Sequence, residues 1–247
     1  MINAQKANIL AIIPARYAST RFPGKPLALI HGKSMISRVV EQVKKSDSIH
    51  EVIVATDDAR IFDHVSDFGG KAVMTSPEHQ SGTDRCAEIA AAYPTADIVL
   101  NVQGDEPFIQ AQQLDLLVDT LLKNPSFQIA TLAKKISSIE ELDNPNVVKL
   151  VMTANEHALY FSRYPIPYSR STQMSERLGK HDFYKHIGLY GFHSQTLLEI
   201  SKLPPSPLEL SESLEQLRWL ENGYGIAVGI TDLETIGIDT PEDLERV

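Results

Sequence analysis

The thirteen residues Pro14-Ala-Arg16-Tyr-Ala-Ser19-Thr20-Arg21-Phe-Pro-Gly24-Lys25-Pro26 bring together the groups a polyanion needs. Arg16, Arg21 and Lys25 supply fixed positive charge, Ser19 and Thr20 supply hydroxyls, and Gly24 lets backbone amides approach an anion. Such a set suits a triphosphate, whose charge must be neutralised before a nucleophile can reach phosphorus. Further along, Gln103-Gly104-Asp105-Glu106-Pro107 and the isolated Asp239 offer carboxylates. Mg²⁺ takes one or two carboxylates together with phosphate oxygens and waters, so Asp105 and Asp239 are candidate metal ligands. Each has an ordinary alternative: Asp105 as a turn residue beside glycine, and Asp239 as a helix-start carboxylate favoured by the dipole. Glu106, next to Pro107, reads as shaping the turn, and Asp57 and Asp58 read as helix caps.

Other chemistries lack their signatures. Gly32-Lys33-Ser34 ends like a Walker A loop, but Leu27 stands where the first glycine is required, so Lys33 reads as a surface residue at a helix start. There is no Gly-x-Ser-x-Gly elbow, no His-Glu-x-x-His pair and no cysteine-centred nucleophile. A net charge of −9 argues against a general nucleic-acid surface. The single cysteine, Cys86, excludes an intrachain disulfide and fits a reducing compartment. The apolar run near the N-terminus is too short for a signal or a membrane span, so the expected location is cytoplasmic, with no membrane partner.

The elements that must position these groups alternate. Ile9–Ile13, Val52–Ala55, Lys71–Met74 and Ile98–Val102 read as buried strands, separated by helical stripes. Those stripes run from Met35 to Val43 behind the cap Ser34, from Ile61 to Phe68 ahead of Gly69-Gly70, from Thr83 or Asp84 to Tyr93, and from Leu114 to Leu122. This rhythm implies an α/β fold, a mostly parallel sheet with helices on both faces. Ligands of such sheets sit beyond the carboxyl ends of the strands, the edge at which the Pro14–Pro26 loop leaves. The pattern then loosens: strands are expected at Ile129–Lys134, Val147–Thr153, Leu159–Arg163 and Ile226–Ile230. Helices are expected at Gln195–Lys202, at Ser211–Asn222 with Leu210, Leu214 and Leu217 as its apolar stripe, and after Thr240-Pro241. With 43% hydrophobic residues and no evident linker, the 247 residues read as one domain. Residues 1–128 would form a nucleotide-binding half and 129–247 an elaborated second half.

Taken together, Ile12–Pro26, Ala55-Thr-Asp-Asp58, Ser81-Gly-Thr-Asp-Arg85, Asn101-Val-Gln-Gly-Asp-Glu-Pro107, Lys185-His-Ile-Gly-Leu-Tyr190, Leu214-Glu-Gln-Leu-Arg218 and Gly237-Ile-Asp-Thr-Pro-Glu-Asp-Leu244 resemble the 3-deoxy-manno-octulosonate (Kdo) cytidylyltransferases along the whole chain. The resemblance implies a Rossmann-like nucleotidyltransferase fold, a homodimer, and the reaction of CTP with Kdo to give CMP-Kdo and diphosphate with Mg²⁺, for lipopolysaccharide biosynthesis. It implies CTP contacts from Pro14, Ala15, Arg16, Lys25, Ser81, Thr83, Arg85, Gln103 and Asp105, with Arg85 near the cytosine. Asp105 and Asp239 would hold magnesium, and Arg16, Lys25, Asp105 and Asp239 would be the catalytic set. Arg163, His186, Tyr190, Glu215 and Gln216 would line the sugar pocket, the first two answering the sugar's carboxylate and the others its hydroxyls.

This sequence departs from the family pattern around that pocket, at Lys185, at Gly191-Phe192-His193 and at Leu208–Ser213, which bears on sugar selectivity. Another acidic sugar, a sialic acid or the 8-amino analogue of Kdo, is the alternative acceptor. A nucleotide-sugar-consuming glycosyltransferase would carry an Asp-x-Asp motif, which Asp105-Glu106 does not match. A silent nucleotide-binding regulator has no reason to retain Lys25 with both aspartates.

Overall fold

The structure, a computed structural model, describes residues 7–18, 22–171, 174–235 and 237–246. Ser19, Thr20 and Arg21 of the N-terminal loop, and Ile236 before Asp239, lie outside the described residues.

The chain opens with β1 (Ile9–Ala15), a hairpin of β2 (Leu29–Ile30) and β3 (Lys33–Ser34), and α1 (Met35–Val43). It continues through β4 (Glu51–Thr56), α2 (Ala59–Asp67), β5 (Ala72–Met74), α3 (Gly82–Ala92), β6 (Ile98–Asn101) and α4 (Ala111–Lys123). The second half holds β7 (Ile129–Lys135), α5 (Ile139–Asp143), β8 (Lys149–Met152), β9 (Ala158–Ser162) and β10 (Tyr184–His193). It closes with α6 (Ser194–Ile200), α7 (Pro207–Glu212), α8 (Gln216–Glu221), β11 (Ile226–Ile230) and α9 (Pro241–Leu244).

The main path of the sheet runs β11-β7-β10-β6-β1-β4-β5, with β8 and β9 extending from β10. β10 lies antiparallel to both β6 and β7; the other strands of the path share one direction. The expected mostly parallel α/β sheet is therefore present, and one reversed strand from the second half is threaded into it. That strand was absent from the sequence reading, as were α5 and the β2–β3 hairpin. No helix among the described residues is long and apolar enough to cross a membrane.

The pleat of β1 divides the core in two. Ile9, Ala11, Ile13 and Ala15 face one layer with Ile36, Val40, Ile61 and Leu117 from α1, α2 and α4. Leu10 and Ile12 face the other with Cys86, Ile89, Leu197 and Trp219 from α3, α6 and α8. A strand covered on both faces is a continuous apolar run, which is why β1, β4 and β6 were readable as strands.

Two helix boundaries differ from expectation. α3 starts at Gly82 because Ser81 is its cap: the Ser81 hydroxyl accepts from the Asp84 amide, and the Asp84 carboxylate accepts from the Ser81 amide. The expected Ser211–Asn222 helix is two short ones. Pro207 is the first residue of α7, and Ser213, at φ 53°, turns the chain left-handed before α8. Leu210 consequently points to solvent, 68% exposed, while Leu214 and Leu217 stay buried.

Candidate functional site

Since β1, β4 and β6 run parallel and in close register, their carboxyl ends open on one edge. A cavity of about 400 Å³ lies there, lined by Pro14, Ala15, Arg16, Ala18, Lys25, Pro26, Gly82, Arg85, Gln103, Gly104, Asp105 and Asp239. Gly104 closes its floor by necessity: a β-carbon there would sit 2.9 Å from the Pro14 carbonyl oxygen. The loop after β1 is held by Gly24, whose φ of 72° suits glycine and whose amide donates to the Tyr17 carbonyl at 2.9 Å. The Tyr17 ring lies against Gly24 and under the Arg60 guanidinium, 3.3 Å from the ring centroid. Asp58 in turn holds Arg60 and caps α2. The loop is thus braced from α2, and Lys25 leaves it at a defined point.

Lys25 Nζ is 2.6 Å from Asp105 Oδ2 and 3.2 Å from Asp239 Oδ1. The Ile238 amide donates to the Asp105 carbonyl, tying the two aspartate-bearing segments together. Asp239 approaches on the capped entry to α9, where Asp243 accepts from the Asp239 and Thr240 amides. Asp239 is thus placed before the cap, and Asp105 ends a turn whose backbone is anchored to it. Two hard oxygen donors converging on one point of positive charge fit the donor set Mg²⁺ prefers. Among the described residues no cluster of three or more His, Cys, Asp or Glu could hold a metal by itself, so oxygens from a ligand would have to complete the shell.

Two neighbours behave differently from the sequence reading. Glu106 contributes its amide to the turn, but its side chain turns inward. Its Oε2 is buried without a partner among the described residues, and burial, with the charge of Asp105, pushes its carboxyl up to about 7. Asp58 is the helix cap, whereas Asp57 is not: its Oδ1 lies 3.4 Å from Arg85 Nη2. Arg85 itself is 1% exposed, and its Nη1 donates to the Thr75 hydroxyl.

Ser81 and Thr83, expected around the nucleotide, spend their hydroxyls inside the protein. Ser81 caps α3, and Thr83 donates to Glu215 Oε2 at 2.6 Å. That bond joins α3 to the residue that enters α8, and burial raises the Glu215 carboxyl above the ordinary range.

Glu215, Gln216, Tyr190 and His186 are brought into one buried neighbourhood. The His186 ring lies edge-on to Phe161 and 5.3 Å from Tyr190, which stands edge-on to Trp219 at 5.0 Å. His186 Nε2 pairs with the Thr131 hydroxyl at 2.9 Å. Tyr190 Oη, Gln216 Nε2, Trp219 Nε1 and Asn101 Oδ1 are all buried without a hydrogen-bond partner among the described residues. Native proteins rarely strand so many polar atoms unless a ligand or ordered water completes them. Asn101 and Trp219 were missed. Asn101 had one signal, a lone amide in the apolar strand Ile98–Val102; it stands opposite Tyr190 in the β6–β10 register. Trp219 had none beyond standing one turn from Gln216.

His186 and Arg163, expected to answer the sugar's carboxylate, are both hydrogen-bonded within the protein. Burial lowers the His186 imidazole to about 3, and the ring keeps its hydrogen bond to Thr131. Arg163 donates to the backbone carbonyls of Glu212, Pro145 and Ser213, bracing the break between α7 and α8. Lys185 is engaged by Glu141 and Glu234.

The chain is similar to known proteins in family, in sequence and in structure. The family model described as cytidylyltransferase matches residues 10–236. A 3-deoxy-manno-octulosonate cytidylyltransferase of Parabacteroides distasonis is 56% identical over 245 residues, covering 96% of this chain and 95% of the relative; that of Cytophaga hutchinsonii is 55% identical, covering 97% and 96%. The structure of CMP:2-keto-3-deoxy-manno-octonic acid synthetase complexed with CTP superposes with a TM-score of 0.90 at 42% identity, over 97% of this chain and 96% of that one. A 4-diphosphocytidyl-2C-methyl-D-erythritol synthase from Anaerococcus prevotii, 16% identical with a TM-score of 0.62, shares the fold alone.

Proposed function

This chain belongs to the 3-deoxy-manno-octulosonate cytidylyltransferases, and from that premise we propose that it transfers CMP from CTP to Kdo, releasing diphosphate, for lipopolysaccharide biosynthesis. The observation that carries the proposal is Lys25 bracketed by Asp105 and Asp239 in the cavity that Arg16 and Arg85 also line. The relatives do not favour a sialic acid or the 8-amino analogue as acceptor.

Asp105 and Asp239 would hold Mg²⁺, which when bound supplies charge neutralisation at the α-phosphate and eases deprotonation of the attacking hydroxyl. The protein's own groups do the rest. Arg16 and Lys25 neutralise the departing diphosphate, as fixed cations do in phosphoryl transfer. Pro14, Ala15, Gly82, Arg85 and Gln103 bound the space for the nucleoside. Tyr190, Glu215, Gln216 and Asn101 offer hydrogen bonds to the sugar, whose anomeric 2-hydroxyl attacks in line. Ser81 and Thr83 act by setting the start of α3 and the Glu215 carboxylate. The two halves work as one nucleotidyltransferase domain, since β10 of the second completes the sheet of the first.

We assign the reaction to the cytoplasm, where CTP is made, and the working form to a homodimer. The dimer is supported by the edge strand β9 and its surroundings, where Leu159, Tyr164 and Tyr168 are exposed beside a cavity lined by Leu150, Met152, Leu178 and Tyr184. Sedimentation at micromolar concentration should give twice the chain mass.

The decisive assay measures diphosphate release with each of the four nucleoside triphosphates, with and without Kdo and Mg²⁺. Release that requires CTP, Kdo and Mg²⁺ together is expected. Release with sialic acid or the 8-amino sugar alone would move the assignment to that acceptor.

A further inference from the structure

Arg85 is the largest fully buried charged side chain on the wall of the cavity, and its surroundings are incomplete. Its stem rises from α3, and its guanidinium reaches across to the ends of two neighbouring strands. Nη1 meets Thr75, the residue after β5, and Nη2 faces Asp57, the residue after β4. These strand ends are pinned to each other, because the Thr75 amide donates to the Thr56 carbonyl at 2.8 Å. Asp57 is free to face inward because its neighbour Asp58 has taken over the capping of α2.

The Asp57–Arg85 contact is close but unfinished. Nη2 and Oδ1 are 3.4 Å apart, and both atoms are buried with no hydrogen bond to each other or to any other group among the described residues. A buried guanidinium and carboxylate left in this state are costly, and small shifts that complete their hydrogen bonds are strongly favoured. The pair is therefore sensitive to whatever enters the cavity that Arg85 lines.

We propose that Asp57 is a positioning residue: it sets the plane of the Arg85 guanidinium against the incoming nucleotide, and so determines nucleotide affinity without touching the substrate. The inference rests on reading this cavity as the CTP site. Once a small shift completes its hydrogen bond, a carboxylate beside one edge of a guanidinium fixes that edge and leaves the remaining N–H groups for another acceptor. Thr75 fixes the second edge. Without Asp57 the guanidinium keeps its charge but can swing about the Thr75 bond.

The test is equilibrium binding of CTP, without sugar, by titration calorimetry. The variants are Asp57→Asn, Arg85→Met and the double variant. Asp57→Asn is expected to weaken CTP binding roughly tenfold and to raise KM for CTP, with kcat and KM for Kdo unchanged within about twofold. In the Arg85→Met background the same substitution should add nothing, because Asp57 acts only through Arg85. A merely structural Asp57 would give equal losses in both backgrounds, and that additivity would overturn the inference. Should Asp57→Asn fail to fold, Thr75→Val, which frees the other edge, is read in the same way: unchanged CTP binding would overturn the proposal. Wild-type protein that binds no CTP would sink the nucleotide reading and this inference together. Wild-type binding with an unaffected Asp57→Asn would remove only the inference.

Discussion

Lys25 and Asp239 are 214 positions apart in the chain, yet the Lys25 ammonium lies 3.2 Å from Asp239 and 2.6 Å from Asp105. One positive group is thus shared by two carboxylates at the mouth of a cavity that also carries Arg16 and Arg85. If Asp105 and Asp239 hold Mg²⁺ as proposed, the Lys25 ammonium would compete with it for the same carboxylate oxygens. Lys25→Met should lower turnover by roughly 10²–10³, the usual cost of losing one positioned group opposite developing charge. The same variant should bind Mg²⁺ more tightly in the absence of nucleotide, measured by calorimetry. Unchanged Mg²⁺ affinity would show that the three groups do not compete.

Asp105→Asn and Asp239→Asn keep shape and remove charge. Each should nearly abolish diphosphate release while leaving the circular dichroism spectrum and thermal midpoint close to those of the parent. Near-normal turnover in either variant would remove that residue from the metal site.

Tyr190 illustrates how an incomplete hydrogen bond separates stability from function. Its hydroxyl is buried without a partner among the described residues. Tyr190→Phe deletes that stranded group, so the thermal midpoint should hold or rise. KM for Kdo should rise several-fold while KM for CTP stays put. A lower midpoint with unchanged KM for Kdo would show that the hydroxyl serves the fold and not the sugar.

The Thr83–Glu215 bond joins the start of α3 to the start of α8. Thr83→Val leaves the Glu215 carboxylate short of a buried donor and should cost roughly 1–3 kcal/mol of stability by denaturant unfolding. Its kinetic effect should fall on KM for Kdo, since Glu215 is then held by Ser81 alone of its two hydroxyl partners. An effect confined to KM for CTP would return Thr83 to the nucleotide.

His186 predicts a pH dependence. Burial lowers its imidazole to about 3 in the folded protein, against roughly 6.5 for an unfolded chain. Between those values the unfolded chain binds a proton that the native state does not, so native stability falls as pH drops through the window. The slope contributed is up to ~1.4 kcal/mol per pH unit, and the contribution vanishes above the unfolded value. His186→Gln should flatten the stability profile between pH 6 and pH 4 in denaturant melts. An unchanged profile would mean that the ring protonates freely in the fold.

Much of the nucleotide half was legible because its signals are local. The cap at Ser34, the stop at Gly69 and the apolar strands β1, β4 and β6 each rest on a few consecutive residues. The second half was less legible because its form depends on distant partners. β10 reads as irregular in isolation, with a register shift between Ile187 and Tyr190, and becomes a strand only between β6 and β7. The split between α7 and α8 is held by Arg163 donating to carbonyls across it, which no periodicity announces.

By itself, the sequence determined the α/β rhythm, the cation-bearing Pro14–Pro26 loop and the identity of the two aspartates as candidates. Those properties follow from residue type and short spacing. Only the tertiary structure decided that Lys25 is shared between Asp105 and Asp239, that Thr83 answers Glu215, and that burial lowers the His186 imidazole. It also separated Asp57 from its neighbour Asp58, one turned to Arg85 and the other to a helix end. The physical reason is the same in each case: burial and the direction of a side chain are set by elements packed from far along the chain, and they decide which polar groups are satisfied, which are charged and which are left for a ligand.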